Sequence, residues 1–91
     1  MTGRLEVSPD ALARELDGEV LVLDLRTSLY FGMTGTAARI WQLVEAGETR
    51  DPIVTTLARE YGADPSVIAG DVDRFLAELT DRGLLVAASR G

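Results

Sequence analysis

The passage from Ser28 to Val44, Ser-Leu-Tyr-Phe-Gly-Met-Thr-Gly-Thr-Ala-Ala-Arg-Ile-Trp-Gln-Leu-Val, constrains this chain more than any other. Leu29 to Met33 has the aromatic and apolar content of a short strand. Ala37, Ile40, Trp41 and Val44 then recur at helical spacing and give one apolar helix face. Thr34 or Thr36 can cap that helix, because a threonine oxygen accepts unpaired amide protons of the first turn. A strand therefore runs through a tight turn into a helix, and the fold must contain both.

Upstream, Val20-Leu21-Val22-Leu23-Asp24-Leu25 is nearly continuous in β-branched and apolar residues, as a central strand covered on at least one face requires. Asp17-Gly18 before it is a hairpin signal, since both central positions of such a turn need positive φ. The alternation of Leu12, Arg14 and Leu16 against Ala11, Ala13 and Glu15 favours strand over helix for 11–16. Leu5 and Val7 can form a further short strand. Thr27-Ser28 turns the chain into Leu29 to Met33, completing a three-stranded antiparallel meander whose third strand lies at an edge. Gly32 marks a bulge or a close backbone approach.

Three helices follow. The first runs from about 35 to 46 and stops at Gly47. The second opens with Asp51 as cap and Pro52 at the first helical position, turns Ile53, Val54, Leu57, Ala58 and Tyr61 inward, and ends at Gly62. The third opens with Asp64-Pro65, buries Ile68, Val72, Phe75, Leu76 and Leu79, and ends at Gly83. Leu84 to Val86 forms a last extended segment and Ala87 to Gly91 frays. With 91 residues, one domain is expected over 1–91, the sheet spanning about 4–33 and the helices about 35–83. The fold class is α+β, shaped like a winged helix-turn-helix.

Absences exclude much chemistry. The chain has no Cys and no His, which removes thiol nucleophiles, thiolate metal sites, the commonest general base and the commonest metal ligand. A non-catalytic binding module without cofactor or metal is expected. Formal net charge is −6, and nucleic-acid phosphates would repel such a surface. The spacing of helices two and three suits a DNA-reading helix-turn-helix, yet the would-be recognition helix carries Asp64, Asp71, Asp73, Glu78 and Asp81 against Arg74 and Arg82. No apolar run reaches the ~20 residues that span a bilayer, and the start has no secretion-signal pattern. A cytoplasmic location with neither membrane nor nucleic acid as partner is expected.

Trp41, between Ile40 and Gln42 on the apolar stripe, is expected in the core. Asp24, flanked by Leu23 and Leu25, is expected at a solvent-facing strand position. On the third helix, at about 100° per residue, Val67 and Asp71 fall beside the buried stripe next to Ile68 and Phe75, with Arg74 and Glu78 close by. If the edge strand lies along that side, strand and helix form a groove with an open backbone ladder on one wall.

The run from Glu19 to Val44 resembles the signature of PqqD-like proteins, the pyrroloquinoline-quinone chaperone family, whose members include recognition elements for precursor peptides of ribosomally made natural products. Its strand, aromatic, small residues and Ile-Trp are most similar to the stand-alone version found in lasso-peptide biosynthesis. The family usually has Leu-Asn where this chain has Met33-Thr34, two changes that preserve side-chain volume and capping.

The resemblance implies a peptide-binding protein that takes the leader of a precursor as an extra antiparallel strand on its third strand, beside the third helix. It would present that leader to a separate leader peptidase, with a cyclase as a further candidate partner. Leaders of this group tend to carry a Tyr-x-x-Pro pattern. The binding residues expected here are Leu29, Tyr30, Phe31, Val67, Ile68, Asp71, Arg74 and Phe75. Val67, Ile68 and Phe75 would line an anchor pocket and Asp71 would accept a peptide hydrogen bond; whether Leu29 and Phe31 or Tyr30 face the groove is open. The alternatives are a peptide chaperone for a radical enzyme in quinone-cofactor assembly and a winged-helix DNA-binding regulator.

Overall fold

The structure, a computed structural model, describes residues 4–88. In chain order the elements are β1 (Leu5–Val7), β2 (Ala11–Leu16), β3 (Glu19–Asp24), β4 (Leu29–Met33), α1 (Gly35–Glu45), α2 (Arg50–Tyr61), α3 (Pro65–Asp81) and β5 (Leu85–Ala87). Asp17 and Gly18 take φ of 50° and 81°, the backbone that a two-residue hairpin turn requires, and close β2 on β3 with Leu16 opposite Glu19. β3 then pairs antiparallel with β4, and the sheet order is β2-β3-β4. The short strands foreseen at either end of the chain pair with each other, β1 on β5, in a separate two-stranded sheet. Ala87, expected to fray, pairs with Leu5, and the Ala88 N–H donates to the Arg4 carbonyl; the fraying expected of 89–91 lies outside the described residues.

One face of the larger sheet covers the helices. Val20 and Val22 of β3 and Met33 of β4 are buried with Ile40, Trp41 and Val44 of α1, Ile53 and Leu57 of α2, and Ile68, Val72, Leu76 and Leu79 of α3. Trp41 is fully enclosed, and its indole N–H finds no acceptor among the described residues. Such an orphan donor costs about 1–3 kcal/mol, which burial of the ring outweighs. Surface ion pairs staple the helices: Arg39 to Glu60 at 2.6 Å joins α1 to α2, and Arg50 grips both oxygens of Asp73 at 2.8 Å, joining α2 to α3.

Helix ends follow sequence punctuation, with exceptions. Asp64 caps α3 by accepting the Ser66 N–H at 2.9 Å, with Pro65 at the first position. Gly83 after α3 has φ of 77°, and the Leu84 N–H returns to the Leu79 carbonyl, a Schellman stop sealed by these two buried leucines. The cap of α2 is Thr49, not Asp51. The helix begins two residues earlier because Asp51 and Pro52 both fit within the first turn: the carboxylate meets the positive helix end, and the proline lacks an N–H that would have no intrahelical partner. Thr34 occupies the cap position of α1 without a side-chain hydrogen bond. Gly32 makes no bulge: it pairs in unbroken register with Leu21, and a Cβ there would meet nothing within 4 Å.

Asp24 also differs from expectation. It is buried, on the same sheet face as Val20 and Val22. Its carboxylate accepts hydrogen bonds from the Arg26 backbone N–H at 3.0 Å and from the Arg26 guanidinium at 3.3 Å. A charge can be enclosed here because its partner is supplied two residues later. Tyr61, expected inward, is half exposed at the last position of α2.

Candidate functional site

β4 is the last strand of its sheet, so one side of its backbone has no strand beside it among the described residues. The register decides which side chains face the helices. Phe31 stands opposite fully buried Val22, Met33 opposite Val20, and Leu29 opposite Asp24. Directly paired residues share a face, so Leu29, Phe31 and Met33 lie on the helical side, while Tyr30 and Gly32 lie on the outer face with Leu23 and Leu21. Phe31 is half-buried against the core, whereas Leu29 and Tyr30 are exposed.

Two clefts open beside α3, and Phe75 lines both. The narrower, about 140 Å³, lies between β4 and the C-terminal half of α3; Phe31, Gly32 and Met33 form one wall and Phe75, Glu78, Leu79, Arg82 and Leu84 the other. The wider, about 330 Å³ and open to solvent, is walled by Thr36, Ala37 and Ile40 of α1, Tyr61 of α2, and Ile68, Asp71 and Phe75 of α3. Of the residues expected at the site, Phe31, Ile68, Asp71 and Phe75 are brought to these clefts. Val67 is exposed one turn before Asp71, outside both linings, and Arg74 is exposed with its guanidinium 3.3 Å from Asp71. Asp71 is thus engaged with Arg74 while its remaining lone pairs stay available to a ligand.

Sequence reasoning missed Tyr61, Thr36 and Arg82, and it placed Glu78 beside Asp71 without counting it among the binding residues. Helical spacing could have placed Arg82 on the same edge. Tyr61 could have been suspected from its place beside Gly62, where the chain leaves the helix. Arg82 spans the mouth of the narrower cleft: its guanidinium lies 5.0 Å from the centroid of the Phe31 ring and 3.6 Å from Glu78. Arg26 donates to the Arg82 carbonyl at 3.2 Å, and its hydrogen bonds to Asp24 keep the Asp24 carboxyl below the usual carboxylate range.

A further recess of about 190 Å³ lies between β1, the end of α1 and the start of α2; its Arg50 is committed to Asp51 and Asp73. Among the described residues no cluster of three His, Cys, Asp or Glu side chains could hold a metal ion, and no helix is long and apolar enough to cross a membrane.

Against solved structures, the chain is similar to TbiB1, solved in complex with the TbiA(beta) leader peptide: 32% identity, a TM-score of 0.87, and coverage of 93% of this chain and 99% of that one. It shares the fold of lasso peptide synthetase B1, solved with its leader peptide, at 22% identity and a TM-score of 0.84, covering 91% of this chain and 98% of that one. It also shares the fold of a segment of the heterocyclase TruD at 21% identity and a TM-score of 0.66, covering 96% of this chain and 12% of that one. No curated protein matches the sequence. The family described as coenzyme PQQ synthesis protein D matches residues 19–85, from the start of β3 through all three helices to β5. The chain belongs to the PqqD family.

Proposed function

We propose that this protein binds the leader segment of a ribosomally made precursor peptide as an added antiparallel strand on β4 and presents it to separate maturation enzymes of lasso-peptide biosynthesis, without catalysing a step itself. The observation that carries this reading is a β4 edge with no strand beside it among the described residues and one apolar cleft along it, in a chain whose 32% identical relative was solved with a leader peptide.

The energetics assign different tasks to edge and clefts. Each main-chain hydrogen bond nets only about 0.5–1.5 kcal/mol, whereas fixing each peptide residue costs about 1–2 kcal/mol. Backbone pairing on β4 sets register and direction but roughly cancels in affinity. Side chains that bury in the clefts, at about 1.5–3 kcal/mol each, decide whether the peptide stays. The wider cleft accepts a ring, such as the Tyr of a Tyr-x-x-Pro leader, against Ile68 and Phe75, with Asp71 or the Tyr61 hydroxyl at its rim. Phe31 and Phe75 hold a second, smaller side chain. Leu29 and Tyr30 flank the peptide strand, Leu29 on the groove side and Tyr30 on the outer face, and Val67 and Arg74 border it along α3. A separate leader peptidase and a cyclase are the partners that would receive the peptide.

The test is a titration with fluorescein-labelled leaders, the TbiA(beta) leader and those of short precursor genes beside this one. Saturable binding that competes with unlabelled leader supports the reading. Absence of saturable binding to any of them would sink it. A peptidase and an asparagine-synthetase-like cyclase encoded nearby would favour lasso-peptide assembly over quinone-cofactor assembly.

A further inference from the structure

We propose that Arg26 is a positioning residue for the peptide groove: pinned by the enclosed Asp24, it clamps the β3–β4 turn to the C-terminal turn of α3 and so fixes the narrower cleft before any peptide arrives. The inference rests on the peptide-binding reading.

Three observations meet at this residue. The Asp24 side chain is 3% exposed, and both of its oxygens are engaged by Arg26, from the backbone N–H at 3.0 Å and from Nε and Nη2 at 3.3 Å. The same Nη2 donates to the Arg82 carbonyl at 3.2 Å, across 56 residues of chain. Gly83, next in sequence, leaves the space that the guanidinium fills: a Cβ there would overlap Nη2 and come within 2.9 Å of Cζ. Gly83 is therefore required twice, by its φ of 77° and by the arginine lodged against it.

What the clamp joins gives it meaning. β4 and α3, the two walls of the narrower cleft, approach each other closely at few points. A cleft whose walls barely touch needs a brace to keep its width, and Arg26 bridges the two at one end. By holding the Arg82 carbonyl it also sets the start of the Arg82 side chain, whose guanidinium lies over Phe31. A planar fork reaches both carboxylate oxygens and a carbonyl together; a lysine ammonium is a single point and cannot. Order present before binding need not be supplied by the ligand, so the brace should appear in affinity, chiefly in the dissociation rate.

The test compares Arg26→Ala, Arg26→Lys, Gly83→Ala and the Arg26→Ala/Gly83→Ala double variant of the full chain, each well below its own Tm. The probes are the same fluorescein-labelled leaders, read by anisotropy, with amide hydrogen exchange at Gly83 and Leu84 measured without peptide. Arg26→Ala is expected to weaken binding about fivefold to tenfold through faster dissociation, with Arg26→Lys recovering only part. Gly83→Ala should weaken binding alone and weaken it less when added to Arg26→Ala, because the steric part of its cost is then gone and only the strain of its positive φ remains. Exchange at Gly83 and Leu84 should quicken in Arg26→Ala while that of α1 holds. A folded Arg26→Ala that binds like the parent, or a lower Tm with unchanged exchange at those two amides, overturns the proposal and leaves Arg26 merely structural. If the parent binds none of the leaders, the peptide reading fails by itself; the brace is then judged by the exchange data, which support it if they quicken and overturn it if they do not.

Discussion

The larger sheet has two open edges, β2 and β4, and they are not equivalent. Ala13 of β2 and Phe31 of β4 both stand opposite Val22 on the helical face, at mirror positions about the central strand. Ala13 is exposed, and Ala11 is the only β2 residue that packs against the core. Phe31 is half-buried, packs on the core and lines a cleft with Phe75. Backbone hydrogen-bonding capacity is the same at both edges; only one has somewhere to put a side chain. An open edge becomes a binding site when an apolar recess lies beside it, and otherwise is a liability blunted by charge, as Arg14 and Glu15 do on β2.

The sharpest way to break this contrast is to exchange the mirror residues. Phe31→Ala should weaken leader binding by about 10- to 100-fold, the worth of one buried apolar anchor, while Ala13→Ser leaves the anisotropy titration unchanged. Equal effects would mean that the peptide does not choose between the edges. A smaller effect tests the ladder: N-methylating one leader amide that faces β4 should weaken binding by about threefold to tenfold, as loss of one hydrogen bond predicts. Val67→Glu comes next, at about twofold to threefold, because Val67 lies outside both clefts and the new charge acts mainly on Asp71 one turn away. A much larger loss would move the groove toward the start of α3.

The smallest effect near neutrality is that of pH. Asp24, Glu60, Asp64 and Asp73 titrate below their ordinary values of 3.8, 4.5, 3.8 and 3.8, held there chiefly by hydrogen bonds from Arg26, Arg39, Ser66 and Arg50 respectively. A carboxyl whose folded pKa is depressed adds stability that is complete above its unfolded value and is lost as pH falls through the folded one. Tm should therefore be flat from pH 6 to 8 and fall progressively below about pH 4. Asp24→Asn should reduce that acid slope while lowering Tm at pH 7, since it leaves Arg26 without its charge partner; an unchanged acid slope would detach Asp24 from the clamp.

Much of the fold was legible because single residues fix local backbone. Asp17-Gly18 named its hairpin, Asp64-Pro65 and Gly83 bounded α3, and the spacing of Ile40, Trp41 and Val44 marked the buried face of α1. Asp24 was misplaced for an identifiable reason. In a nearly continuous apolar strand both alternating sets look buried, so the phase is hidden, and neighbouring leucines pull the eye to the wrong face. Tyr61 was misjudged because a 3.6-residue period says which side of a helix is apolar but not where the neighbouring helix ends. Ile68, Asp71 and Phe75 were legible as a group because they share one side of one helix, whereas Tyr61, Thr36 and Arg82 enter from other elements.

The sequence by itself determined the alternation of strands and helices, the Asp17-Gly18 turn, the Asp64 cap of α3, the apolar stripes and the absence of histidine and cysteine chemistry, because each is set by residues near one another in the chain. Only the tertiary structure decided that Phe31 and not Tyr30 faces the groove, that β1 closes on β5, and that Arg26 reaches Arg82. Those outcomes depend on which strand face has helices to cover and on groups 56 residues or more apart meeting. Long-range packing supplies that information, and no local pattern encodes it.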